Sequence, residues 1–229
     1  MEPRALILQE AARLLAESPS GDVSTRAVCD AAGVTQPVLY RLFGDKDGLL
    51  AAVADSVWDE YLSRKRAAEA SDDALADLRA GWDAHTAFAR ENPHAYRLVF
   101  GSALTARPAA LAEAMRLLTG VLERLAADGR LSMGADEAAR VVMAANSGLA
   151  LGVILRPELH PDADAASALT REAVIRGILA DGDAPVVDAA AVAATTLRAH
   201  VAASEAFTPA ESGLLDEWLG RFQRPSRTG

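Results

Sequence analysis

A glycine between two short helical runs constrains this chain more than any other feature. Thr25–Ala32 reads as one helix, capped by Ser24, and Gln36–Phe43 as the next, with Gly33 between them. A helix C-terminus needs positive φ just past its end, which glycine adopts without steric cost. Thr35 stands at the N-cap position of the following helix, and Pro37 falls in its first turn, where a missing N–H costs nothing. Two helices joined by so short a turn predict a helix-turn-helix, whose second helix lies in the DNA major groove. Gly44 breaks the chain again, and Asp45 then caps a long helix from Lys46 to about Ala68.

The rest of the chain reads as helix too. Half of its 229 residues are hydrophobic (51%), much of that alanine and leucine, which favour helix. Apolar positions recur at helical spacing from Arg4 to Ser18. Ser71-Asp72-Asp73 caps a helix to about Glu91, and Pro93 opens a shorter one through Phe100. Arg107-Pro108 starts another, which Asp128-Gly129 ends. Ala135–Leu155 is apolar nearly all round, so burial on most sides is expected. Helices follow at about 165–180 and 186–204, and Thr208 with Glu211 makes a capping box for a last one ending near Phe222. Asp181-Gly182-Asp183 reads as a loop, Val186-Val187 is too short for a strand, and the tail from Arg224 is expected to fray. No strand pattern or internal repeat survives, and the expectation is an all-α protein of about eleven helices. Residues 1–50 read as the helix-turn-helix domain, helix 46–68 as the connection, and 51–229 as a larger helical ligand-binding and dimerisation domain.

No run reaches the roughly 18 apolar residues of a membrane span, and Met1-Glu2-Pro3-Arg4 leads into an amphipathic stretch rather than a signal peptide. The single cysteine, Cys29, excludes an internal disulfide, fits a reducing cytosol and reads as a small packed hydrophobe. His85, His94, His160 and His200 are scattered, with no partner at metal-ligand spacing, so neither metal nor cofactor is expected. No phosphate loop, nucleophile elbow or other catalytic constellation is present, and an enzyme is not expected.

The run from Thr25 to Leu50 resembles the DNA-binding domain of the TetR family of bacterial transcriptional regulators. Ala32-Gly33-Val34, Leu39-Tyr40, Phe43 and Lys46-Asp47-Gly48-Leu49-Leu50 fall in the family's order and spacing. A less specific likeness to its regulatory domains lies in Phe88–Pro93 and Tyr96–Gly101. The resemblance implies DNA binding by a homodimer, with repression as the usual mode. Gln36 can pair with an adenine edge, Thr35 with a base or phosphate, and Pro37 and Val38 can touch a thymine methyl. For Thr35 a plain N-cap role is an equal alternative. Tyr40 and Lys46 resemble the family's phosphate-contacting pair; the alternative for Tyr40 is a half-buried aromatic of the small core. Arg41 is either a phosphate contact or a solvated charge near Asp45. Leu39, Leu42 and Phe43 should be core, with Val28 and Val34.

Charge raises an objection. The net charge is −9, and the first fifty residues carry five basic groups (Arg4, Arg13, Arg26, Arg41, Lys46) against seven acidic ones. Three helices begin near one surface, at Thr25, Gln36 and Lys46, and helix N-termini bind phosphate through free N–H groups and the dipole. DNA binding of this kind should depend only modestly on salt.

For the remainder, the resemblance makes helix 135–155 the candidate dimer face, partnered by 165–180 or 186–204, with Gly148 and Gly152 permitting close approach; the alternative is that this helix is the centre of its own domain. Trp58, Tyr61, Trp82, His85, Phe88, Tyr96, Phe100, Met115, Met143 and Asn146 are candidates to line a cavity for a small, largely apolar ligand; ordinary core is the alternative for each. Two other functional readings stay open: a DNA-binding regulator without a small ligand, and an all-α binding protein or enzyme with an architectural helix-turn-helix.

Overall fold

The computed structural model describes residues 2–18, 21–101, 104–106, 108–180 and 189–222. Among them are eleven α-helices and no strand: α1 Pro3–Glu17, α2 Thr25–Ala32, α3 Gln36–Phe43, α4 Lys46–Ala67, α5 Ala74–Glu91, α6 Pro93–Phe100, α7 Ala110–Ala127, α8 Ala135–Leu155, α9 Ala163–Ile178, α10 Ala189–Ala202 and α11 Pro209–Phe222. A 3-10 turn occupies Pro157–Leu159, and one isolated antiparallel bridge joins Leu131 to Leu179. The Val186-Val187 and Asp181–Asp183 readings, Arg107 and the tail from Arg224 lie outside the described residues.

Capping accounts for several of the boundaries. Ser24 Oγ accepts from Ala27 N–H at 3.1 Å, and Gly33 ends α2 at φ 62°. Asp73 Oδ1 accepts from Leu75 and Ala76 N–H at 2.9 and 3.1 Å at the start of α5. The capping box at α11 is present: Thr208 N–H donates to Glu211 Oε2 at 2.9 Å and Glu211 N–H to Thr208 Oγ1 at 3.3 Å.

Contacts gather the chain into two compact units. The first holds residues 1–68, 86–114 and 150–159, so it extends beyond the helix-turn-helix and includes α6. Its core joins Ile7, Ala11 and Leu15 of α1 to Val28 and Cys29 of α2, Leu39 of α3, Leu49 and Val53 of α4, and Leu98 of α6. Cys29 packs as a small apolar side chain, and burial pushes its thiol pKa up. Leu42, expected in this core, is 37% exposed. Eight residues give α3 little more than two turns, and Leu39 alone among them is buried.

The second unit holds 69–85, 115–149 and 160–229. Leu78 and Trp82 of α5, Leu122 and Leu125 of α7, Val142 of α8 and Ile175 of α9 build its core. A charge network crosses from α5 to α9. Arg79 donates to both oxygens of Glu172 at 3.0 and 2.8 Å, and Arg171 Nε donates to Glu172 Oε1 at 2.9 Å. The Arg79 guanidinium, helped by Arg171, lowers the Glu172 carboxyl from 4.5 to about 2. A carboxyl depressed in the fold stabilises it above the unfolded pKa, and that contribution is lost as pH falls through the folded value. The wild-type advantage over Glu172→Gln in melting temperature should therefore shrink between pH 4.5 and about 2; thermal melts across that window check it. The Arg79 and Glu172 side chains are more than one-third exposed, so solvent screening keeps the difference small.

α8 departs from expectation. By length and composition it is apolar enough to cross a membrane, because Asn146, Ser147 and two glycines interrupt the apolar run without lowering its average much. Only 28% of its apolar window is buried, not most of it. Ala138, Ala139 and Val142 face the core, whereas Val141, Ala144 and Gly148 lie exposed along another side. On α9, Leu169, Ala173 and Gly177 are exposed at four-residue spacing.

Candidate nucleic-acid interface

The helix-turn-helix is built by caps and held by side chains that bridge its helices. Thr35, Gln36 and Pro37 are exposed at the start of α3, and Val38 is half-buried. Thr35 is the N-cap residue, with extended backbone, yet its side chain makes no capping hydrogen bond. Of its two roles, capping through the hydroxyl is therefore absent. Tyr40 is 40% exposed, and its hydroxyl lies 3.3 Å from Thr25 Oγ1 at the start of α2. Tyr40 is thus a surface aromatic that ties α3 to α2 rather than part of the core. Lys46 Nζ pairs with Asp22 Oδ1 at 2.7 Å, joining the start of α4 to the segment before α2. Arg41 is exposed near the end of α3.

These contacts place the beginnings of α2 and α4 beside α3. Asp22, Asp45 and Asp47, the aspartates close to Lys46, are each engaged. Asp45 Oδ1 caps α4 by accepting from Gly48 N–H at 2.7 Å. Asp47 Oδ2 accepts from Thr105 N–H and Oγ1 at 3.0 and 2.8 Å, which holds its carboxyl below the usual range. Asp22 is lowered in turn by its bond to Lys46. Among the described residues Asp22 alone pairs with Lys46, so a phosphate need displace a single exposed partner to reach this ammonium.

In the sequence Gly48 is one position of a motif, and its physical role is set by a tertiary contact. A Cβ there would lie 2.0 Å from the carbonyl oxygen of Phe43, closer than atoms can approach. The end of α3 rests directly on the first turn of α4, and only glycine permits it.

The ten candidate cavity residues divide evenly between the two units. In the first, Trp58, Tyr61, Phe88, Tyr96 and Phe100 form one aromatic cluster. Tyr61 stacks on Phe88 with centroids 4.6 Å apart and Tyr96 on Phe100 at 4.7 Å, while Trp58 touches all four within 5.8 Å. Burial pushes both tyrosine hydroxyls well above their ordinary pKa. Lys65 extends over the Tyr61 ring at 5.3 Å, and burial lowers its pKa to about 8. In the second unit Trp82 belongs to a different core with Met115 packed against it, His85 and Asn146 are buried, and Met143 is half-buried. Asn146 Nδ2 donates to the Trp82 carbonyl at 3.2 Å, and Trp82 Nε1 donates to Ser167 Oγ at 3.0 Å. Asn146 thus anchors α8 to α5.

Two family models match this chain. Residues 7–53 match the bacterial regulatory proteins of the TetR family, and residues 78–154 match a tetracyclin repressor-like C-terminal domain. Together they span more than half of its 229 residues. The chain belongs to the TetR family. It is accordingly a DNA-binding transcriptional regulator with an N-terminal helix-turn-helix domain. The fold agrees with solved structures. A TetR-family regulator from Pectobacterium atrosepticum shares 24% identity at a TM-score of 0.62, over 79% of this chain and 96% of that one. A TetR variant from Acinetobacter baumannii in complex with minocycline shares 22% identity at 0.60, covering 76% and 94%. FadR from Bacillus subtilis in complex with stearoyl-CoA shares 15% identity at 0.61, covering 76% and 98%. No curated protein matches the sequence.

Proposed function

We propose that this regulator is a ligand-responsive repressor that binds a pseudo-palindromic operator as a homodimer. The observation that carries the reading is the exposed start of α3 together with Tyr40 held on Thr25 and Lys46 on Asp22. On that surface Gln36 and Thr35 read base edges, with Pro37 and Val38 against thymine methyls. Tyr40, Lys46 and Arg41 take phosphates, as do the N–H groups at the starts of α2 and α4.

Half-sites recur about every 34 Å along duplex DNA, so a reader of this type works as a pair. The uncovered small-residue side of α8 (Val141, Ala144, Gly148) and that of α9 (Leu169, Ala173, Gly177) supply a face for the second copy. For the ligand, the aromatic cluster around Trp58 favours an apolar or aromatic molecule, and the ammonium of Lys65 at its edge favours one carrying an acidic group. Two of the structural neighbours hold small molecules, minocycline in one and stearoyl-CoA in the other, which supports a sensing role. Such a ligand releases DNA only by binding one conformer more tightly than the other.

Electrophoretic mobility shifts on DNA upstream of the protein's own gene test the reading. Wild type should give a discrete complex. Lys46→Ala and Tyr40→Phe should weaken binding to all sequences alike. Gln36→Ala should relax preference at one base position by about 1–3 kcal/mol. Equal loss from Gln36→Ala on every sequence would remove it from base reading.

A further inference from the structure

Lysine is rare in this chain. Of its 23 basic residues 21 are arginine, and the two lysines are Lys46 and Lys65. Lys65 stands between Arg64 and Arg66 near the C-terminal end of α4. Both arginines turn to carboxylates, Arg64 to Glu60 at 3.8 Å and Arg66 to Asp59 at 3.1 Å and Glu113 at 3.6 Å. Lys65 instead runs half-buried over the Tyr61 ring, with Nζ 5.3 Å from its centroid. Tyr61 in turn stacks on Phe88 and meets Trp58 edge-on. The amine therefore stands against the aromatic cluster, while the guanidinium groups on either side serve ion pairs.

A ligand can engage such a side chain in two ways. A carboxylate pairs with the ammonium, or a carbonyl carbon accepts the lone pair of the neutral amine. Residue choice separates the two. Arginine is the better holder of an acid, because its planar fork meets a carboxylate with two bonds and never loses its charge. A chain that uses arginine at 21 basic positions departs from it here, between two more. What lysine offers and arginine does not is a nitrogen lone pair near neutral pH. Burial favours that neutral form and holds the amine at about 8. An amine partly covered by apolar surface is the setting in which lysine attacks carbonyl compounds.

We propose that Lys65 is a covalent sensing residue, condensing with an apolar or aromatic aldehyde whose body lies against the rings of Tyr61, Phe88 and Trp58. The inference rests on the ligand-sensing reading of this cluster and names its ligand class. The amine lone pair adds to the aldehyde carbon, a proton passes from nitrogen to oxygen, and the carbinolamine loses water to leave a C=N bond. The step needs no redox partner, and hydrolysis reverses it. The protonated imine keeps a cation over the Tyr61 face.

Reductive trapping of the full chain tests it. The protein is incubated at pH 7.5 with benzaldehyde or octanal and sodium cyanoborohydride, and adducts are mapped by peptide mass spectrometry. Lys65 should be labelled at least about tenfold faster than Lys46. Lys65→Arg, which keeps the charge, and Lys65→Met, which keeps the stem, should both lose that adduct. Without the borohydride, both aldehydes should weaken operator binding by wild type, and the two variants should not respond. Equal labelling of the two lysines overturns the proposal, as does an adduct at Lys65 that leaves operator affinity unchanged. Octanoate keeps this failure distinct from failure of the ligand-sensing reading. Release of the operator by octanoate with no adduct at Lys65 would leave that reading standing and remove the covalent step.

Discussion

Gly48→Ala should abolish operator binding and destabilise the protein. Helix propensity alone predicts the opposite, since alanine is favoured over glycine inside a helix by about 1 kcal/mol. Sterics outweigh it here. The new methyl would sit 2.0 Å from the Phe43 carbonyl oxygen and 3.2 Å from its carbonyl carbon, and both are backbone atoms that no rotamer change can move. Relief requires parting the end of α3 from the start of α4, at a cost in the upper part of the overpacking range, about 3 kcal/mol. Lys46 lies on that same first turn and Gln36 on the helix that must shift, so the recognition surface loses its geometry along with its stability. Gly120→Ala is the matched control. Gly120 is in α7, where a new methyl would meet nothing within 4 Å, and alanine there should stabilise by about 1 kcal/mol. Chemical denaturation of both variants, with operator titrations by fluorescence anisotropy, separates the two effects.

Trp58→Ala should produce the largest loss among single core truncations. The indole is fully buried and touches Tyr61, Phe88, Tyr96 and Phe100, with centroids 4.6 to 5.8 Å away. Removing it leaves a void flanked by rings from α4, α5 and α6 that cannot collapse without breaking their mutual stacks. Truncations of this size cost about 3–5 kcal/mol. For a chain of this length that corresponds to a melting temperature lower by about 10 °C. Calorimetry measures it. A loss below about 1 kcal/mol would mean that the cluster repacks, and that it is soft enough to admit a ligand without the cavity cost assumed here.

The starts and ends of the helices were legible because they rest on local chemistry. Ser24, Gly33, Asp45, Asp73 and the Thr208–Glu211 box each act within a turn of their own position. Tertiary roles were not. Helical spacing marks Leu42 as apolar, but nothing in an eight-residue helix says that Leu39 is buried and Leu42 is 37% exposed. An all-apolar α8 suggests burial all round, yet sequence does not say whether its own chain or another copy supplies the cover. The ten cavity candidates were chosen by residue type, and type cannot tell that Trp58 and Trp82 belong to different cores. Gly48 shows the same limit from the other side: the motif flags it, and only the Phe43 carbonyl explains it.

The central claim is that DNA is held mainly by helix N-termini and base edges, with few cations. The salt dependence of operator affinity tests it most directly. With Lys46 and Arg41 as the phosphate-binding cations of each copy, a dimer releases about four counterions, and log K should fall against log salt with a slope of about −4. Lys46→Ala should flatten that slope by about two units, one site in each copy. A wild-type slope of about −7 or steeper, corresponding to eight or more released counterions, would contradict the account.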